Sequence, residues 1–154
     1  MAAKLEVIKG VDVIMVHENE AYIYGETAQR CVDLVKTINS PQLWLAYDPA
    51  NFVWSHRNKS NMRVSWPIMK PYVAHIYIKD WKVGDEIGSI PGTGDAQIKE
   101  LLAELATMEY TGCITMEPHL EKGGQFGGAT SPELFAQAIA AVRQLCAEAG
   151  LEYE

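Results

Sequence analysis

The stretch Tyr72-Val-Ala-His-Ile-Tyr-Ile-Lys-Asp80 decides how this chain is read. It alternates strictly, with Val73, His75, Tyr77 and Lys79 on one face and Ala74, Ile76 and Ile78 on the other. A period of two built from β-branched and aromatic residues predicts a strand. The Ala74, Ile76 and Ile78 face suits packing against helices. The opposite face presents an imidazole, a phenol and an ammonium, a composition that calls for a polar ligand. The strand ends in Lys79-Asp80, and three other strand-like runs also end in a carboxylate.

Working outward, Val11 to His17 is an almost continuous apolar run after Gly10 that leads into Glu18-Asn19-Glu20. Such runs suit strands covered on both faces, as in parallel sheets. Thr27 is the expected N-cap of a helix whose apolar positions are Cys31, Leu34, Val35 and Ile38, with Asn39-Ser40-Pro41 as its stop. A second strand, Leu43 to Tyr47, runs into Asp48-Pro-Ala-Asn51. A polar stretch from Ser55 to Asn61 gathers His56, Arg57 and Lys59, and a short helix is expected near Met62 to Met69, interrupted by Pro67 and Pro71. The Trp81 to Asp95 loop is long enough to suggest a functional role. Asp95 is expected to cap a helix with Ile98, Leu101, Leu102, Leu105 and Met108 inward. Cys113 to Met116 is a fourth strand ending in Glu117-Pro-His119, followed by a loop from Gly123 to Gly128. Ser131-Pro132 starts a last helix that Gly150 ends, with Leu134, Ala138, Ala141, Val142 and Leu145 inward.

Four β–α units, with strands starting near residues 11, 42, 73 and 111, imply one parallel sheet with right-handed crossovers. No internal stretch has linker composition, so residues 1–154 are expected to form a single domain. After the first strand there is no Gly-x-Gly-x-x-Gly fingerprint of a dinucleotide-binding fold.

The totals exclude several classes. Thirteen Lys and Arg stand against 20 Asp and Glu, a formal net charge of −7, which disfavours nucleic-acid backbones as partners. Three cysteines without CxxC spacing fit neither a disulfide framework nor structural zinc, and suit a reducing cytoplasm. No apolar run reaches the ~18 residues of a membrane span and no signal-peptide core is visible, so a soluble cytoplasmic protein is expected.

In a parallel α/β sheet, function gathers at the carboxyl ends of the strands. Glu18, Asp48, Lys79-Asp80 and Glu117 occupy those ends. Each alone could cap a helix or face solvent. Three carboxylates together repel one another unless a cation neutralises them, which predicts a divalent metal site.

The junctions Val16-His-Glu-Asn-Glu20, Asp48-Pro-Ala-Asn-Phe52, His75 to Asp80, Pro91-Gly-Thr-Gly94 and Thr111 to His119 resemble the xylose-isomerase-like superfamily, sugar-phosphate isomerases and epimerases related to endonuclease four. Five short motifs in the family's order span nearly the whole chain. The resemblance implies four consecutive βα units equivalent to strands five to eight of a TIM barrel, a parallel half-barrel. It also implies that Glu18 and Glu117 are catalytic, one removing a proton next to a carbonyl and the other returning it through an enediolate. Glu18, Asp48 and Glu117 would hold the metal, with His75 a candidate fourth ligand. Asn51, Lys79, His119 and Trp44 are the candidate substrate contacts. An oxygen-rich site favours Mn²⁺ or Mg²⁺, with Zn²⁺ or Co²⁺ as alternatives.

Two departures follow from the sequence. The family's metal-binding histidine precedes the Asp of the Lys-Asp pair by three residues, and here that residue is Tyr77. His75 lies roughly 6.6 Å further down the strand at about 3.3 Å per residue. Either the carboxylates and water hold the metal, or Tyr77 contributes, or the site is impaired. The second departure is length, since a full barrel takes about 250 residues. Two copies pairing to close a barrel, or a fragment of a longer protein, would resolve it. The expected function is a metal-dependent isomerase or epimerase of a small sugar or sugar phosphate. The alternatives are a polyol dehydratase on the same scaffold and an inactive half-barrel serving as a binding or assembly module.

Overall fold

The structure, a computed structural model, describes residues 1–123 and 128–152. Four strands form one sheet in the order β1-β2-β3-β4: β1 (Met15–Glu18), β2 (Leu43–Tyr47), β3 (Val73–Ile78) and β4 (Cys113–Met116). Every neighbouring pair is parallel, as the alternation of strands and helices requires. The helices are α1 (Ala2–Ile8), α2 (Ala28–Ile38), α3 (Pro49–His56), α4 (Asn61–Val64), α5 (Trp66–Met69), α6 (Ile98–Thr107) and α7 (Pro132–Ala149). This is the expected half-barrel of four βα units.

The core lies between the sheet's outer face and the helices. Leu45, Tyr47, Ile76 and Ile78 are fully buried there with Cys31, Met69, Leu101, Leu102 and Leu105. The other face, which carries Trp44, His75, Tyr77, Cys113 and Thr115, remains partly open; Trp44 is 37% exposed, and Cys113 and Thr115 are exposed. A barrel's inner face is normally filled by side chains from all of its strands, and four strands cannot close over themselves.

Local chemistry sets the helix ends. Thr27 accepts from Arg30 N as the cap of α2, and Gly150 closes α7 in a left-handed conformation. Several boundaries differ from expectation. β1 begins at Met15, because Val11 and Val13 face solvent with nothing packed over them. Residues before Gly10 form α1, and α3 begins directly after Asp48, where its carboxylate caps the helix. The Met62–Met69 region is two single-turn helices meeting at Ser65. Asp95 does not cap α6. It accepts from Val83 N and pairs with Lys59, while Gln97 in a left-handed conformation begins the helix. Met108 falls just beyond α6 and is 37% exposed. Of the loop from Gly123 to Gly128, residues 124–127 lie outside the described residues.

Candidate metal and substrate site

Each strand delivers one polar side chain to the same end of the sheet. Glu18 closes β1, and Asp48, Lys79 and Glu117 follow β2, β3 and β4 within one residue. Glu18, Asp48 and Glu117 each offer a carboxylate oxygen within 4.8 Å of the other two. Oxygens bound at about 2.0–2.3 Å around one ion stand roughly 3 Å apart when adjacent and up to about 4.6 Å when opposite. The cluster therefore matches the spacing of a hard divalent cation, and its all-oxygen donors suit Mg²⁺ or Mn²⁺ better than softer metals.

Asp48 is 0% exposed and divides its oxygens between two tasks. Oδ1 accepts from Ala50 N at 2.8 Å and Asn51 N at 3.2 Å at the start of α3. Oδ2 lies 2.9 Å from Lys79 Nζ, its buried ion-pair partner. Lys79 Nζ also reaches Glu117 Oε2 at 3.0 Å. Asn19 clamps the Asp48 backbone from both sides, donating to Asp48 O at 2.7 Å and accepting from Asp48 N at 2.8 Å. Asn51 donates to Glu18 Oε1 at 2.9 Å.

The electrostatics separate the two glutamates. Burial, reinforced by Asp48, raises Glu18 to about 7. The neighbouring His119 imidazole, followed by Lys79, lowers Glu117 to about 2 despite partial burial. Burial opposes the Lys79 ammonium, but Asp48 and Glu117 outweigh it and hold the lysine above its ordinary value. Full burial pushes Asp48 up against the pull of Lys79.

The other expected contacts divide. His119 stands at the cluster, with Nε2 3.6 Å from Glu117 Oε1. His75 does not join it. Its Nε2 is 2.8 Å from Thr115 Oγ1 and its ring packs 4.8 Å from that of Tyr77, deeper on the inner face. Trp44 also lies away from the carboxylates, near the start of β2, where its indole N–H donates to Pro41 O at 3.0 Å. Asp80 turns outward from the site and organises the following loop, accepting from Trp81 N, Gly92 N, Gly94 N and Ala96 N at 2.8–3.1 Å. His56 contacts Glu26 O and Lys59 pairs with Asp95, so neither serves the cluster. Asn19 was not singled out by sequence reasoning. Its only signal is its place directly after Glu18, since its partner is 29 residues away.

Residues 2–145 match the family described as the xylose isomerase-like TIM barrel. Solved structures share the fold. A xylose isomerase domain protein from Planctomyces limnophilus superposes with a TM-score of 0.68 at 19% identity, covering 89% of this chain and 46% of that one. An L-ribulose 3-epimerase gives 0.71 at 12% identity, with 97% and 52% coverage. A D-psicose 3-epimerase from Clostridium cellulolyticum H10, solved with D-tagatose, gives 0.61 at 24% identity, with 94% and 52% coverage. At these identities the likeness is one of fold, and the chain spans about half the length of each. No curated protein matches the sequence.

Proposed function

Because this chain belongs to the xylose isomerase-like TIM-barrel family, we propose that it contributes the catalytic end of a metal-dependent isomerase or epimerase of a small sugar. The observation that carries this reading is the convergence of Glu18, Asp48 and Glu117 at one end of the sheet, each offering an oxygen within 4.8 Å of the others. These three residues would hold a divalent ion, Mn²⁺ or Mg²⁺ by donor type, which when bound makes the hydrogen beside a carbonyl more acidic. Glu18 and Glu117 face the space between the strand ends, where one carboxylate removes that proton and the other returns it. Asn51 fixes the orientation of Glu18, and Asn19 fixes the turn that aims Asp48. Lys79 balances the negative charge of Glu117, and His119 stands beside it.

Completion of the barrel is part of the proposal. The two outer strands, β1 and β4, have no partner on their far sides among the described residues, and the inner face is open. Pairing of two copies would cover that face and remove both edges. No helix among the described residues is long and apolar enough to cross a membrane, and the free cysteines suit a reducing cytoplasm.

The test is exchange of a substrate carbon proton with solvent deuterium, followed by NMR with the full chain, Mn²⁺ and D-tagatose. Exchange is expected for the unaltered chain and lost in Glu117→Gln. Unchanged exchange in that variant overturns the assigned role.

A further inference from the structure

Above the carboxylates lies a cleft of about 680 Å³, within the range of small-molecule sites. Three aromatic rings form one of its walls. Trp54 stands 6.0 Å from Tyr22, edge to face at 87°, and 6.4 Å from Trp81 at 66°. Trp54 lies on α3 one helical turn after Asn51, which places it on the same side of the helix as the residue that holds Glu18. Trp81 is fixed from below, with its indole N–H on Asp85 O at 3.0 Å and its backbone N–H on Asp80. Trp54 remains 43% exposed and Tyr22 89% exposed. Tyr22 also adopts φ +63°, a left-handed conformation that is uncommon outside glycine. Trp81 is itself buried in the core at 8% exposure and backs Trp54, so the ring surface open to the cleft belongs to Trp54 and Tyr22.

The charges around the cleft narrow the ligand further. Glu20, Glu86 and Glu121 line it, whereas its lysines, Lys79 and Lys122, are paired with Asp48 and Glu117 and with Glu86. Lys59, from the polar stretch that also carries His56 and Arg57, pairs with Asp95 instead of lining the cleft. An anionic group entering here meets carboxylates and no uncommitted lysine among the described lining residues.

We propose that Tyr22 and Trp54, backed by the buried Trp81, form a stacking subsite that selects an uncharged, unphosphorylated sugar by the C–H face of its carbon skeleton. The proposal rests on the sugar-directed reading above but not on its chemistry. The rings supply apolar contact, and the paired polar groups below them supply hydrogen bonds to hydroxyls.

Saturation-transfer NMR on the metal-free full chain tests it, with D-tagatose, D-fructose and D-fructose 6-phosphate as probes. The neutral sugars are expected to receive saturation at their C–H protons, with the phosphorylated probe at least about tenfold weaker. Trp54→Ala and Tyr22→Ala are each expected to weaken neutral-sugar binding about threefold to tenfold. Tyr22 is so exposed that its variant reports on the subsite even where Trp54→Ala fails to fold, which circular dichroism would reveal. Equal or tighter binding of the phosphorylated sugar, neutral-sugar affinity unaltered in both folded variants, or no transfer to any probe overturns the proposal. Glu117→Gln separates the two readings. Unchanged proton exchange in that variant defeats the catalytic role alone, whereas neutral-sugar binding that does not depend on Trp54 or Tyr22 defeats the subsite alone.

Discussion

Lys79 Nζ lies 2.9 Å from Asp48 Oδ2, and both residues are cut off from bulk water, at 4% and 0% exposure. A buried pair of this kind is stabilising mainly relative to its broken halves, because removing one partner leaves an uncompensated charge in a poor solvent.

Lys79→Met is therefore expected to destabilise the fold by about 3–5 kcal/mol. Urea unfolding followed by circular dichroism would measure it. Millimolar Mn²⁺ is expected to recover part of the loss, because an ion bound only by the folded state raises its stability by mass action. A midpoint that ignores both the substitution and the metal would remove the pair from any structural role.

The two glutamates should impose opposite pH dependences. Glu18 is raised to about 7, so the folded state holds its proton where the unfolded chain has lost it. Its contribution is fully present below the ordinary glutamate range, near 4.5, and declines as pH rises towards 7. Glu117 is lowered to about 2, so its contribution is present above about 4.5 and is lost as pH falls towards 2. Urea midpoints for the metal-free chain should thus fall between pH 4.5 and 7, with that slope flattened in Glu18→Gln.

Metal affinity should follow the carboxylates and not the inner-face imidazole. Glu18→Gln and Asp48→Asn are expected to weaken Mn²⁺ binding at least about tenfold, since each removes a charged ligand. His75→Gln is expected to leave affinity within about twofold, because His75 contacts Thr115 and lies outside the cluster. Calorimetric titration gives all three constants, and a large loss in His75→Gln would return that residue to the ligand set.

Asp80 is expected to matter for architecture before chemistry. It is 2% exposed and accepts four backbone N–H groups from the loop between β3 and α6. Asp80→Ala leaves those donors without their acceptor and should cost about 2–4 kcal/mol, at 1–3 kcal/mol for an unsatisfied buried group with solvent reaching some of them. Faster hydrogen exchange at Gly92, Gly94 and Ala96 should accompany the loss. The same crowding constrains Gly94, where an added Cβ would collide with Asp80 Oδ1, so Gly94→Ala should disturb the same loop.

Association is tested on the inner face. Cys113 is exposed there on the outermost strand β4, and Cys113→Arg places a charge on the face that a second copy would cover. Sedimentation at micromolar concentration should show a dimer for the unaltered chain and a shift towards monomer in the variant. A well-folded monomer of the unaltered chain would eliminate the pairing.

The sequence by itself determined the order of elements and the end of the sheet that matters. Strand alternation puts Ile76 and Ile78 in the core and Lys79 on the opposite face, and parallel connections carry Glu18, Asp48 and Glu117 to one end without any knowledge of distances. Helix caps with a local signal, Thr27 and Gly150, were equally legible. Tertiary structure decided what depends on partners far along the chain. Asn19 meets Asp48 across 29 residues, Lys79 meets Glu117 across 38, and Tyr22 meets Trp54 only because β1 and β2 lie side by side. It also turned Asp80 into a loop anchor and gave His75 to Thr115, since a strand's period fixes which face a side chain takes but not which neighbour it finds there.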